Sequence, residues 1–174
     1  MTLLKDMTGV VLVGGRSTRM GRDKATLELA GTTMQDRSVA VLRQCFAQVI
    51  VIAHDVVPGL GPLGGLLTAL RQVETPAVFL VACDMPFLEA ELIRQMAGEL
   101  PGYDAVAYPD EPLHAAYATC ILPVVEQQIA AQDYAMHRLL AKLRVKFITT
   151  QRPPALTNVN TPHEWELVKR TLTH

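Results

Sequence analysis

The chain alternates between unbroken apolar runs and stretches with helical spacing. Gly9-Val-Val-Leu-Val13, Val49-Ile-Val-Ile-Ala53 and Ala77-Val-Phe-Leu-Val-Ala82 are short, rich in β-branched residues and free of polar alternation. That is the pattern of strands buried on both faces of a parallel sheet. Between them Val39, Leu42 and Phe46 fall on one helical face. Leu63, Leu66, Leu67, Leu70 and Val73 form a fuller stripe, and Leu92, Ile93, Met96 and Leu100 follow the third run. The order β-α-β-α-β predicts an α/β fold: three layers, doubly wound, around a mostly parallel sheet with right-handed crossovers.

Beyond Gly102 the pattern loosens. Ala105–Tyr108 and Ala115–Thr119 read as short strands flanking a turn-rich Pro109-Asp-Glu-Pro112. Val124–Ile129 and Met136–Leu143 read as helices, and Val145–Thr149 as a strand. Thr161-Pro-His-Glu164 places a capping hydroxyl, a proline at the first helical position and a glutamate at the third. It predicts a last helix through Trp165, Val168 and Leu172. No repeat, low-complexity tract or linker interrupts the chain, so residues 1–174 are read as one domain.

Composition narrows the class. At 49% hydrophobic and 19% charged, the chain has material for a core and too little polarity for disorder. A net charge of -1 and 5% aromatics argue against a nucleic-acid partner. No apolar run reaches the roughly 18 residues of a membrane span, and no secretory leader pattern opens the sequence. Cys45, Cys83 and Cys120 are widely spaced, with no C-x-x-C pair, which suits reduced thiols in the cytoplasm.

Ligands of open parallel sheets bind beyond the carboxyl ends of the strands, and three such ends carry unusual residues. The first is Leu12-Val-Gly-Gly-Arg-Ser-Thr-Arg-Met-Gly-Arg-Asp-Lys24. Gly14 and Gly15 allow close backbone approach, and free N–H groups in such a loop cradle phosphate oxygens. Arg16, Arg19, Arg22 and Lys24 concentrate positive charge that the whole-chain sum hides. The spacing matches neither G-x-G-x-x-G nor G-x-x-x-x-G-K-[ST], and an ordinary glycine-rich surface loop is the plain alternative. The second is Cys83-Asp-Met-Pro86, where Asp84 is placed either to hold Mg²⁺ or to cap a helix. The third is Asn158-Val-Asn160, two amides on one side of an extended segment, or simply a turn and a cap. None of the five histidines has metal-ligand spacing, but His114 falls near the expected cleft as a substrate contact.

A glycine-rich cationic loop and a Mg²⁺ carboxylate on a parallel sheet suit nucleotidyl transfer. A phosphate attacks the α-phosphate of a nucleoside triphosphate and pyrophosphate leaves. An ionised phosphate nucleophile needs no general base, which agrees with the lack of a Ser-His-Asp or Cys-His set.

In order, Leu12-x-Gly-Gly-x-Ser-x-Arg-Met-Gly-x-Asp-Lys24, Gly61-Pro-Leu-Gly-Gly65, Cys83-Asp-Met-Pro86, Pro112-Leu-His-Ala-x-Tyr117 and Asn158-Val-Asn-Thr-Pro162 resemble the motifs of the molybdenum cofactor guanylyltransferases. These belong to the nucleotidyltransferase superfamily with its Rossmann-like fold. The resemblance spans nearly the whole chain. It implies GTP and molybdopterin cofactor as substrates, with the guanine dinucleotide form and pyrophosphate as products. Other cofactor-biosynthesis or molybdoenzyme maturation proteins are possible partners under the same resemblance.

Carried over by motif, Leu12, Val13, Gly14, Gly15, Ser17, Asp55 and Gly61 contact the nucleotide. Lys24 binds its phosphates, with Arg19 beside it by charge, and Asp84 holds Mg²⁺. His114, Asn158 and Asn160 face the second substrate. A cytosine-specific relative tends to carry Ala-Gly where this chain has Gly14-Gly15, so the double glycine leans to GTP. A sugar-phosphate nucleotidylyltransferase and a non-catalytic nucleotide-binding protein are more distant alternatives. Two connections, at 53–55 and 109–112, are shorter than the family's usual loops. Either those loops are trimmed or the sequence as read omits residues there.

Overall fold

The computed structural model describes residues 2–13, 28–29, 31–53, 59–148, 154 and 157–172. In chain order the elements are β1 (Leu4–Leu12), β2 (Glu28–Leu29), β3 (Thr32–Thr33), α1 (Met34–Arg43), β4 (Phe46–Ile52), α2 (Pro62–Gln72), β5 (Ala77–Ala82), α3 (Ala90–Gly98), β6 (Ala105–Tyr108), β7 (Glu111–Ala118), α4 (Leu122–Ala130), α5 (Met136–Leu140), β8 (Val145–Phe147) and α6 (Pro162–Leu172). A short 3₁₀ turn, Thr119–Ile121, joins β7 to α4.

Six strands form one sheet in the order β4-β1-β5-β7-β6-β8. β4, β1 and β5 are parallel neighbours, and β6 pairs parallel with β8. β7 runs antiparallel to both β5 and β6, so it alone is reversed among the six. The expected α/β, mostly parallel architecture is the one observed.

Strand alternation distributes the core to two layers. Val10 and Leu12 of β1, with Val78 and Leu80 of β5, pack against Leu63, Leu66 and Leu67 of α2, Val125 of α4, and Leu139 and Leu140 of α5. Val11, Phe79 and Val81 point the other way, against Leu42 of α1 and Ile93 and Met96 of α3. Val10, Val11, Leu80 and Val81 expose nothing, and each such side chain contributes about 1.5–3 kcal/mol of burial. A third, smaller cluster of Met34, Val159, Trp165 and Val168 fastens α6 to the start of α1.

The differences from expectation lie mostly at element ends. β1 begins at Leu4 and β4 at Phe46, earlier than the apolar runs suggest. Phe46 is not on the helix: α1 stops at Arg43, and Phe46 opens β4, stacked on Phe79 at 5.9 Å between ring centroids. α5 ends at Leu140 and β8 at Phe147, both shorter than predicted. The largest correction is β7, which begins at Glu111. The predicted turn shrinks to Pro109 and Asp110, with Tyr108 paired directly to Glu111. At that point the short connection is a tight hairpin. Of the other short connection, at 53–55, residues 54 and 55 lie outside the described residues.

Candidate active site

The chain leaves β1 through α1 to β4 on one side and returns through α2 to β5 on the other. Such a reversal opens a crevice at the carboxyl ends of the two central strands. At this end Val13 N–H donates to Ile52 O at 2.9 Å, and Cys83 N–H donates to Leu12 O at 3.0 Å. The ladder therefore holds the three strand ends level. Leu12 is buried and Val13 half-buried at the lip.

α2 points its N-terminus toward this end of the sheet. Gly61 precedes it with φ 60° and ψ −151°, and no side chain caps the helix. That backbone region is essentially open only to glycine. Pro62 then fixes the first helical position without an N–H. Lower in α2, a Cβ on Gly65 would stand 2.8 Å from Leu12 Cδ2, so the glycine lets the helix close down on the end of β1.

Asp84 stands two residues past β5 and is half-buried. Cys83, Met85 and Pro86 around it are buried, which fixes the backbone that carries the carboxylate. Its own carbonyl accepts from Val159 N–H at 2.9 Å. That bond, with Val159 buried among Met34, Trp165 and Val168, brings the Asn158-Val-Asn160 segment to the tip of β5. Asn160 is exposed, and its N–H donates to Glu164 Oε2 at 2.6 Å. The same oxygen accepts from Thr161 N–H at 3.0 Å, while Glu164 N–H donates to Thr161 Oγ1 at 3.2 Å. This is the capping box expected from the sequence.

The structure brings Leu12, Val13, Asp84, Asn158 and Asn160 to this rim, with Gly61 opening α2 toward it. Gly14, Gly15, Ser17, Arg19, Lys24 and Asp55 lie outside the described residues. His114 has a different setting from the one expected. It sits opposite Val81 in the β5–β7 ladder, is 0% exposed, and lies edge-on to Phe79 at 5.2 Å. Neither of its ring nitrogens has a hydrogen-bond partner among the described residues. Burial pushes its pKa down to about 4, so the ring is neutral near pH 7. The imidazole belongs to the α1–α3 side of the core and has no open face toward a ligand.

One residue escaped the sequence reading. Glu111, the first residue of β7, is 4% exposed. Its Oε2 accepts from Asn158 Nδ2 at 2.8 Å, and its Oε1 accepts from Leu113 N–H at 3.3 Å. The only signal in the sequence was a carboxylate beside Pro112 in what read as a turn.

Among the described residues no three His, Cys, Asp or Glu side chains gather as a metal cage. A single half-buried carboxylate, Asp84, fits Mg²⁺ in its usual mode, where one or two carboxylates share the ion with water and substrate phosphates. Also among the described residues, no helix is long and apolar enough to cross a membrane.

A mostly parallel sheet with a carboxylate and a glycine-led helix at its reversal point is a setting in which α/β proteins bind nucleotides. Residues 9–147 match the family model described as the MobA-like NTP transferase domain, and the chain belongs to that family of nucleotidyltransferases. It is 34% identical over 183 residues to the probable molybdenum cofactor guanylyltransferase of Pelotomaculum thermopropionicum, across 90% of this chain and 89% of that one. It is 32% identical over 182 residues to the molybdenum cofactor guanylyltransferase of Xanthomonas euvesicatoria, across 95% of each. The fold is shared with molybdopterin-guanine dinucleotide biosynthesis protein A from Archaeoglobus fulgidus, at TM-score 0.74 and 23% identity over 95% of this chain and 98% of that one. It is also shared with 2-C-methyl-D-erythritol 4-phosphate cytidylyltransferase from Thermus thermophilus, at TM-score 0.70 and 14% identity over 95% of this chain and 98% of that one.

Proposed function

We propose that the protein transfers GMP from GTP to the terminal phosphate of molybdopterin cofactor. An oxygen of the acceptor phosphate bonds to the α-phosphorus. The bond from that phosphorus to the β-phosphate bridging oxygen breaks, and pyrophosphate leaves with the electron pair. The observation that carries the reading is the placement of Asp84 between two sets of groups. Leu12, Val13 and Gly61 lie on the β1–α2 side, and Asn158 and Asn160 lie on the side toward β7. The nucleotide takes the first side and the acceptor the second, so their phosphates meet at Asp84.

The chain's own part is binding and orientation. Leu12 and Val13 form an apolar lip, and the N-terminal end of α2 favours negative charge. By the motifs they belong to, Gly14, Gly15, Ser17 and Asp55 contact the nucleotide, and Arg19 and Lys24 neutralise the triphosphate. Mg²⁺, held by Asp84 when bound, supplies charge neutralisation on the phosphates. No side chain has to remove a proton, because the attacking phosphate is ionised at neutral pH.

Pyrophosphate release measured with GTP, CTP and ATP, each with and without molybdopterin cofactor, tests the proposal. Release is expected with GTP only when the acceptor is present. A preference for CTP would make the protein a cytidylyltransferase, and no release with any nucleotide would make it a non-catalytic binder.

A further inference from the structure

The pair of buried Glu111 and half-buried Asn158 joins residues 47 apart in sequence across the acceptor side of the site. An ionised carboxylate accepts hydrogen bonds and cannot donate them. The Asn158 amide must therefore turn its NH₂ group to Glu111, which leaves Oδ1 as its other pole. That oxygen is shielded from solvent and has no partner among the described residues. Leaving such an acceptor unmet is costly, so the arrangement is held ready for a donor beyond the described residues. Glu111 is itself fixed by the Leu113 N–H bond at 3.3 Å and by near-complete burial. The hairpin beside it is braced, with Tyr117 Oη donating to Pro112 O at 2.8 Å.

We propose that Glu111 is a positioning residue: it locks the Asn158 carboxamide in one orientation, so that Oδ1 accepts a hydrogen bond from an N–H or O–H group of the second substrate. This rests on the nucleotidyl-transfer reading above. The second substrate is chosen over the nucleotide because β7 and the Asn158 segment lie on the far side of β5 from β1 and β4.

The test is a double-mutant cycle. In Glu111→Gln the partner can donate as well as accept, so the Asn158 amide is free to flip and present NH₂ to the substrate. Asn158→Asp alone sets two carboxylates against each other. The double variant Glu111→Gln/Asn158→Asp restores one fixed polarity at unchanged net charge. The new carboxamide at position 111 then donates, and the second oxygen at position 158 accepts.

Expected in pyrophosphate release is a rise of about tenfold in KM for molybdopterin cofactor in each single variant, the scale of one lost hydrogen bond. KM for GTP should stay within twofold, and the double variant should recover most of the loss. A purely structural role would lower Tm and move both KM values together, without recovery. That result, or a double variant no better than the worse single, overturns the proposal.

The Asn158 side-chain ¹H–¹⁵N signals of the wild type give a reading that needs no substrate. Slow exchange that is lost in Glu111→Gln supports the lock, and fast exchange in the wild type overturns it. If the wild type releases no pyrophosphate at all, the function fails while this exchange measurement still decides the lock.

Discussion

The two rims of the sheet are built on opposite principles. At the amino end polar groups are spent on one another. Thr8, 1% exposed, donates to Thr75 Oγ1 at 2.8 Å. Thr75 donates onward to Ala77 O at 2.9 Å, and Thr119 closes on Pro76 O through both its N–H and its hydroxyl, each at 2.9 Å. At the carboxyl end satisfaction is incomplete. There Asn158 Oδ1, shielded from solvent, has no partner among the described residues. Gly61 adds a left-handed backbone there. Buried polar groups are nearly always paired, so the rim that leaves them unpaired is the one arranged for something else. One rim closes the fold; the other is held open by it.

Asp84→Ala should separate the two most sharply. The prediction is a fall in kcat of at least a hundredfold, because charge stabilisation by a bound metal is worth several kcal/mol. Tm should move little, since the carboxylate is half-buried and lies past the strand. Transfer at the wild-type rate in saturating Mg²⁺ would remove Asp84 from the site.

His114→Leu comes next, read by urea unfolding between pH 7.5 and 4. In the wild type the unfolded imidazole takes up a proton below about pH 6.5, while the folded one resists until about pH 4. Its contribution is therefore full above the unfolded pKa and is lost as pH falls through that window. The loss amounts to about 3 kcal/mol across the window. The leucine variant should be at least as stable at pH 7 and show a shallower acid slope. Equal slopes would mean that the ring is charged, or reachable by water, in the fold.

Thr8→Val is the smallest effect and the control for the closed rim. It should cost about 1 kcal/mol of stability through the lost hydrogen bond and leave kcat and both KM values unchanged. A change in kinetics would show that the rims are coupled.

How much of this was legible in the chain follows from local physics. β1, β4 and β5 stand out because a strand covered on both faces has no polar positions to blur it. The capping box at Thr161 and Glu164 is a three-residue signal and reads directly. The first half of β7 does not, because Pro112 and two acidic residues mimic a turn. The β6–β7 register shifts between Val106 and Tyr108, and that irregularity accommodates a proline inside a central strand. Phe46 kept helical spacing with Leu42 because both reach the same core layer, one from α1 and one from β4. Asp84, Asn158 and Asn160 were recognisable from their motifs. The Glu111–Asn158 contact was not, since nothing local links residues 47 apart. The burial of His114 was equally hidden, because it depends on the register that sets it against Val81.

The most direct measurement is a backbone ¹H–¹⁵N titration of the protein with GTP and Mg²⁺, read separately at the two rims. Shifts are expected at Leu12, Val13, Gly61 and Asp84, with Thr8, Thr75 and Thr119 unmoved. Shifts centred on the amino-end threonines, or spread evenly over both ends, would contradict the assignment of the carboxyl rim as the nucleotide site.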